Sequence, residues 1–513
     1  MKFLLISDTH IGGQFNEEMF YKGVEIANQS DVDFLIHCGD LTSDGTLAQY
    51  ELSKMYLEKI TKKPFLIVPG NHDGANVGDL LWEEIIGTRY FVHTDEEKKV
   101  KIFGLDSSEP DRNTGRIGRK AIQRIYDEFS SLTDDWLKVI VFHHHCLPIP
   151  YTGRERSSIN DAGSVIKTIL DCNIQLVFNG HRHITNVFRL TDGEINAWIV
   201  NCGTLSCKKT RYREEYSMTI VNVNREKNEI ATKILKIGKE PTEEEMKFSG
   251  IFQENVEFKE KELVSTIVQI GNTDFSDAKF NLEVYEKGVQ SINNMNCDLV
   301  VHCGGVTGSS YLNEFKRAQL LLDKIKKPLL IVPGGNDSSP LGYDLFSRYI
   351  GLKNPIYEND KLLILGFNSC IIDEKEGRLG RDNTNFAVEK LTKTSSKIGI
   401  VTFYHTIIPL PRTKHEAELT DAGDVLNALT QNNLDLVLTG AKNRSATWQV
   451  NNTVLVNAGT LSSLNVNTYL GNSFNIIEIF KTEIGKYYEI SEYIIEEDKK
   501  MLIGTFNVPN NRK

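Results

Sequence analysis

The sequence predicts an α/β protein whose 513 residues are laid out as two tandem units. Three observations predict this. Short apolar runs of strand length alternate with stretches of helical spacing. Polar motifs follow several of the runs directly, where sites of open α/β sheets collect. The whole succession is then written a second time.

In chain order, Phe3–Ile6, Phe34–His37, Phe65–Val68, Val139–Phe142 and Leu176–Phe178 read as buried strands. Between them, Glu17–Asn28, Thr46–Ile60, Arg119–Ser130 and Ala162–Asp171 have helical periodicity. Asn196–Val200 and Ser217–Val223 read as strands of a further sheet. The β-α-β-α-β order predicts a mainly parallel sheet covered by helices. The same order returns from about Leu263 to Ile494. Expected boundaries are residues 1–238 for the first domain, 239–261 for a linker, 262–498 for the second domain and 499–513 for a tail. The linker reading rests on the charged, proline-containing Lys239-Glu240-Pro241-Thr242-Glu243-Glu244-Glu245, and Asn507–Lys513 is polar enough to fray. Each domain is then ~240–260 residues, large but acceptable for an α/β unit.

Composition narrows the class. At 40% hydrophobic and 25% charged residues the chain is expected to be soluble and globular. A net charge of -10 argues against a generally basic nucleic-acid surface, leaving room only for a local basic groove. The eight cysteines are scattered without a Cys-x-x-Cys pair, which fits a reducing cytoplasm. Met1–Ile6 is too short for the apolar core of a signal peptide and reads as a first strand. No apolar run approaches the ~20 residues of a membrane span.

The repeat acts as an internal control. Ile6-Ser7-Asp8-Thr9-His10 returns as Ile270-Gly271-Asn272-Thr273-Asp274, and His37-Cys38-Gly39-Asp40 as His302-Cys303-Gly304-Gly305. Val68-Pro69-Gly70-Asn71-His72-Asp73 returns as Val332-Pro333-Gly334-Gly335-Asn336-Asp337, and Gly180-His181-Arg182-His183 as Gly440-Ala441-Lys442-Asn443. Apolar positions and glycines persist while metal-binding groups mostly vanish. What the halves share serves folding; what only the first has serves chemistry.

Alone, each motif has an ordinary use: Asp-x-His as a capping pair, Gly-Asp and Gly-Asn as turns. Together, in this order and each after an apolar run, they supply mixed nitrogen and oxygen donors. Two divalent cations ~3.5–4 Å apart need a bridging carboxylate and neutral imidazoles to complete their shells. Glycine before Asp40, Asn71 and His181 is expected to let the backbone turn sharply, so that these side chains meet.

The full set, with His143-His144-His145, resembles the calcineurin-like metallophosphoesterase family, in its cyclic-nucleotide phosphodiesterase-like branch, over the whole first half. The resemblance implies two tandem four-layer α-β-β-α sandwiches, the second degenerate. It implies that Asp8, His10 and His183 hold one metal, that Asn71, His144 and His181 hold another, and that Asp40 bridges. His72 would contact the phosphate or protonate the leaving group, with Asp73 orienting it. The ions would be Mn, Fe, Zn or Co, with manganese the first choice, and water held between them would attack phosphorus.

The histidine run allows two registers. Pro148 and Pro150 match Pro409 and Pro411, which aligns His405 with His144, so His144 is taken as the ligand. His143 is the alternative, or else a hydrogen-bond partner. In the second half the ligand positions read Asn272, Asp274, Gly305, Gly335, His405, Ala441 and Asn443, and no dinuclear site is expected there.

Two shared segments read as structural: Gly115-Arg116-Ile117-Gly118-Arg119 with Gly377–Arg381, and Asn201–Ser206 with Asn457–Ser462. After the latter, Lys208, Lys209, Arg211, Tyr212 and Arg213 face Leu464–Thr468, so the basic cluster disappears with the ligands. It reads as a solvated loop or as a phosphate contact, with Arg211 and Arg213 the candidates for bidentate binding. Arg154 and Arg156 are weaker candidates of the same kind.

The expected function is a cytoplasmic, dinuclear metal-dependent phosphodiesterase acting on a nucleotide or cyclic nucleotide. A DNA or RNA nuclease is the second reading, disfavoured because tight backbone binding needs many Lys and Arg contacts. A metal-poor scaffold is the third, and suits the second half. That half is expected to pair with the first as an internal pseudo-dimer or to recruit a protein partner. No membrane partner is expected.

Overall fold

A computed structural model describes residues 1–152, 158–212, 214–238, 242–251, 258, 260–394, 396–412, 418–432, 434–467 and 470–510. The chain divides into two compact units, the first Met1–Glu254 apart from two short segments and the second chiefly Asn255–Lys513. The first unit contains β1 (Lys2–Ile6), α1 (Glu17–Gln29), β2 (Phe34–His37), α2 (Leu47–Leu57), β3 (Phe65–Ile67), α3 (Gly78–Ile85), β4 (Phe91–Asp95) and β5 (Val100–Gly104). It continues with α4 (Gly118–Phe129), β6 (Leu137–Val141), α5 (Ala162–Asp171), β7 (Leu176–Asn179), β8 (Asn186–Thr191), β9 (Asn196–Asn201), β10 (Ser217–Asn224), β11 (Glu229–Lys236) and β12 (Thr242–Ser249).

Two mixed sheets result. One has the order β12-β11-β10-β1-β2-β3 and the other contains β8-β9-β7-β6-β5-β4. The expectation of a mainly parallel sheet holds only for part of each. β1, β2 and β3 run parallel, whereas β10, β11 and β12 pair antiparallel with their neighbours.

β1 shows why the layers stack as they do. Phe3 and Leu5 point into a core with Phe34 and Ile36 of β2 and Val139, Val141 and Phe178 of the other sheet. The Phe3 ring lies 5.3 Å from Phe34 and 5.5 Å from Phe178, joining the two sheets. Leu4 and Ile6 point the other way, against Met19, Phe20 and Val24 of α1 and Trp82 of α3. Beyond the second sheet, Phe129 of α4 packs 6.5 Å from Phe103 of β5. The unit is therefore a helix-sheet-sheet-helix sandwich, and the period of two along each central strand divides its side chains between two cores.

The second unit runs β13 (Lys261–Ile270), α6 (Leu282–Asn294), β14 (Leu299–His302), α7 (Leu312–Leu322), β15 (Leu329–Ile331), α8 (Pro340–Tyr349), β16 (Ile356–Glu358) and β17 (Leu362–Gly366). It continues α9 (Arg381–Lys393), β18 (Ile398–Thr402), α10 (Ala422–Gln431), β19 (Leu436–Thr439), β20 (Ala446–Val450), β21 (Thr453–Asn457), β22 (Ser473–Thr482), β23 (Gly485–Ile494) and β24 (Lys499–Pro509). Its strand orders, β15-β14-β13-β22-β23-β24 and β16-β17-β18-β19-β21-β20, repeat those of the first unit position by position. The helix starts repeat too. Asn16 caps α1 by accepting from Met19 N at 3.3 Å, and Asn281 caps α6 by accepting from Val284 N at 3.2 Å.

Two sequence expectations are corrected. Within the expected linker, Thr242–Ser249 is a strand, because β12 pairs with β11 along its length. Its Glu243 and Glu244 pair with Lys233 and Lys236, while Met246 and Phe248 pack on the inter-sheet core. The charges that suggested a linker are those of an edge strand. The expected tail from 499 contains β24, held by Phe506 and Val508 in the core of the second unit. Among the described residues no helix is long and apolar enough to cross a membrane.

Candidate metal centre

The carboxyl ends of β1, β2 and β3 in one sheet, and of β6 and β7 in the other, deliver Asp8, His10, Asp40, Asn71, His72, His143, His181 and His183 to one place. Asp8, His10, Asp40, His181 and His183 all adopt positive φ, between 49° and 82°. This region costs a residue with a Cβ ~1–2 kcal/mol, and such strain clusters at functional sites. Of the three flanking glycines only Gly39 has positive φ, at 97°. The other two are required for close approach: a Cβ on Gly70 would collide with Asp40, and one on Gly180 would lie 2.7 Å from Asp8 Oδ2.

Three donor groups form, each with its ligand atoms within 4.8 Å of one another: His10, Asp40 and His72; Asp40, His143 and His181; His10, His183 and Cys207. Asp40 belongs to two of them. Its Oδ2 lies 3.6 Å from His10 Nε2 and 3.1 Å from His143 Nε2. Asp8 Oδ1 lies 3.2 Å from His183 Nε2 and 3.8 Å from His10 Nε2, and those two nitrogens are 3.2 Å apart. Asn71 Oδ1 is 2.9 Å from His181 Nδ1.

Backbone carbonyls orient the rings. His72 Nδ1 meets Ser43 O at 2.6 Å, His143 Nδ1 meets Cys38 O at 2.8 Å, and His183 Nδ1 meets Lys209 O at 2.6 Å. A carbonyl can only accept, so each Nδ1 carries a proton and any free lone pair lies on Nε2. This is the outer arrangement that fixes metal-ligating imidazoles.

Electrostatics favour a cation. Burial alone would raise Asp8 and Asp40, but the surrounding imidazoles, His183 for Asp8 and His143 for Asp40, hold both well below the usual carboxylate range. Burial would lower His143 and His183, yet Asp40 lifts the first to about 9 and Asp8 lifts the second to about 10. Burial dominates at His10 and His181 and lowers both. Asp8 Oδ1 and His143 Nε2 are buried and make no hydrogen bond. A buried polar atom left so costs ~1–3 kcal/mol, and a bound cation would satisfy both. The donors therefore fit divalent metal ions.

The register of the histidine run is corrected. His143, not His144, joins the donor group with Asp40 and His181. His144 Nδ1 instead meets Ser107 Oγ at 2.8 Å, as His405 Nδ1 meets Ser369 Oγ at 2.8 Å in the second unit. His405 and His144 occupy equivalent places, and a histidine shared by both units belongs with the framework. The residue equivalent to His143 in the second unit is Tyr404, which cannot replace an imidazole.

Asp73 is corrected as well. Its carboxylate accepts from Leu41 N at 3.0 Å, Gly70 N at 2.9 Å, and Thr42 N and Oγ1 at 2.7 and 2.9 Å. Asp337 does the same for Val306 N, Gly334 N, and Thr307 N and Oγ1, at 2.7–2.9 Å. It ties two loops together in both units, and His72 turns to Ser43 instead.

The loop after β9 is anchored beside the centre through Lys208 N to Gln14 O at 2.7 Å and through Lys209 O to His183. Arg211 is half-buried in it. Arg213, Arg154 and Arg156 lie outside the described residues. The segment Asn201–Ser206 is structural: Thr204 Oγ1 and Ser206 Oγ hold Asp8 O and Thr9 O, as Thr460 and Ser462 hold Asn272 O and Thr273 O. Sequence reasoning passed over Cys207, whose equivalent in the second unit is Ser463, because it falls between that shared segment and the basic cluster.

In the second unit the ligand positions are spent otherwise. Asn272 Nδ2 donates to Gly440 O at 2.5 Å and Asn443 Nδ2 to Asn465 O at 2.7 Å. All three donor groups found among the described residues lie in the first unit.

Residues 1–185 match the model of the calcineurin-like phosphoesterase family. A protein of Arcobacter nitrofigilis named "Probable glycerophosphodiester phosphodiesterase GpdQ" is 29% identical over 27% of this chain and 55% of its own length. One of Ruthia magnifica subsp. Calyptogena magnifica, named "Probable cyclic nucleotide phosphodiesterase", is 23% identical over 35% of this chain and 77% of its own. The chain thus spans about half the length of the first relative. A solved dimetal phosphatase from Danio rerio aligns at 12% identity and a TM-score of 0.36, covering 48% of this chain and 98% of that one.

Proposed function

We propose that the first unit is a dinuclear metal-dependent phosphodiesterase acting on a nucleotide or cyclic nucleotide. The observation that carries it is the position of Asp40, shared by two donor groups and close to an imidazole of each. Asp8, His10 and His183 would hold one ion, Asn71, His143 and His181 the other, with Asp40 common to both. When bound, such a pair supplies an activated water and neutralises charge growing on the phosphoryl oxygens.

The chain's own residues supply the rest. Asp8 and Asp40 stay anionic, which would favour retention of such cations. His72 is partly exposed at the edge of the centre, and its Nδ1 is held by Ser43 O, so Nε2 is the atom able to deliver a proton to the leaving oxygen. Arg211 is the candidate contact for a non-reacting phosphate oxygen. For the second unit we propose a framework copy without this chemistry.

The test is hydrolysis of bis-p-nitrophenyl phosphate by the full chain with manganese, alongside His181→Ala. The wild type should turn over and the variant should fall by ~100-fold or more. Equal rates would refute the reading. A panel of cyclic nucleotides, glycerophosphodiesters, RNA and single-stranded DNA then separates the substrate classes. Hydrolysis confined to oligonucleotides would replace the cyclic-nucleotide reading by the nuclease one.

A further inference from the structure

We propose that the Cys207 thiol is a protein donor to the ion held by Asp8, His10 and His183, giving this half of the centre a sulfur ligand. The inference rests on the dinuclear reading above and goes beyond it by naming a donor and a metal preference.

Cys207 is 1% exposed, and its sulfur lies within 4.8 Å of the ligand atoms of His10 and His183. A second feature points to a cation at the same spot. Asp8 Oδ1 is fully buried, makes no hydrogen bond, and faces the Nε2 atoms of the same two histidines. The position of the thiol is set by the framework. Cys207 N donates to Thr204 Oγ1 at 2.8 Å, and Cys207 bridges to Phe15. Ser463 repeats both contacts in the second unit, to Thr460 Oγ1 at 2.9 Å and to Phe280.

The two units therefore present the same backbone with different chemistry. Where the first has His10, His183 and Cys207, the second has Asp274, Asn443 and Ser463. The thiol is lost together with the two imidazoles beside it, which a packing role for sulfur does not require. Coordination would form a sulfur–metal bond and release the thiol proton to solvent. A thiolate beside two imidazoles and a carboxylate favours zinc or iron over manganese, so this position would differ in metal preference from the position built by Asn71, His143 and His181.

Cobalt(II) substitution of the full chain tests this. The wild type should show visible ligand-field bands and an intense near-ultraviolet sulfur-to-cobalt charge-transfer band. Cys207→Ser, which installs the residue of the second unit, should bind cobalt and lose that band. Its preference for zinc over manganese should fall about 10-fold or more by competition. Circular dichroism of Cys207→Ser and Cys207→Ala establishes that the fold is kept. Cobalt bound without the charge-transfer band in the wild type, or the band retained in both variants, would overturn the thiol ligand and leave the phosphodiesterase reading standing. A wild-type chain that binds no cobalt would overturn both.

Discussion

His143 and Tyr404 stand in the same slot of their respective units: a Cβ on Gly39 would lie 2.6 Å from the His143 ring, and one on Gly304 would lie 2.7 Å from the Tyr404 ring. The slot adjoins the end of β2 in the first unit and of β14 in the second. In the first it also adjoins Asp40, and there alone the ring can share a cation with a carboxylate. In the second, Gly305 has replaced that carboxylate, and a phenol fills the space.

This relationship predicts opposite outcomes for two neighbouring histidines. His143→Ala should remove one equivalent of bound metal and cut phosphodiester hydrolysis by more than the ~10–100-fold typical of outer-sphere changes. His144→Ala should keep its metal and lose stability instead, because its ring is buried and bonded to Ser107. Elemental analysis and turnover of the two purified variants decide the matter; metal loss in His144→Ala alone would reverse the assignment.

Asp40→Gly should uncouple the fold from the chemistry. Asp40 has φ of 55° and Gly305 has φ of 74°, so the substitution installs a residue the turn already accepts in the second unit. Stability should change by no more than ~1–2 kcal/mol, from the lost bond to His72 N. Hydrolysis should fall by roughly 1,000-fold, with fewer than two metals retained. A variant retaining both metals and its rate would show that the bridge is not Asp40.

Asp73→Asn and Asp337→Asn should behave alike. Each replaces a carboxylate that ties two loops through backbone N–H groups, and each should destabilise its unit by ~2–3 kcal/mol in urea titrations. A catalytic Asp73 would give the contrary pattern: a stable Asp73→Asn with collapsed turnover.

Asp274 gives a pH signature in the second unit. Burial raises its carboxyl to about 6, against the usual 3.8. A folded-state value above the unfolded one means that the native state holds the proton longer. Stability from this group is complete below about pH 4 and is lost as pH rises through about 6, to the extent of ~2–3 kcal/mol. Asp274→Asn should remove that loss, so its melting temperature should exceed the wild type's more at pH 7.5 than at pH 4.5. An equal difference at both values would mean that Asp274 ionises without penalty.

The sequence was most legible where local pattern and burial agree. β2 and α5 fall on the residues expected, since a short, mostly apolar run and a helical stripe each need no distant partner to be recognised. It was least legible at β12 and β24, whose charged or polar residues resemble a linker or tail until a neighbouring strand takes up their backbone. The repeat set Asp40 and His181, which the fold brings into one donor group, apart from Gly305 and Ala441. It misled at His144 and Asp73, where residues retained in both units were nonetheless given active roles.

By itself the sequence determined the α/β alternation and the two copies, and it set Asp8, His10, Asp40, Asn71, His181 and His183 just after apolar runs as candidate donors, because residue type and position after a strand are local properties. Tertiary structure alone decided which imidazole of His143-His144-His145 turns toward Asp40, where the Asp73 carboxylate is spent, and that Cys207 stands beside His10 and His183. Those are relations between distant segments, created when two sheets bring their strand ends together, and no spacing along the chain encodes them.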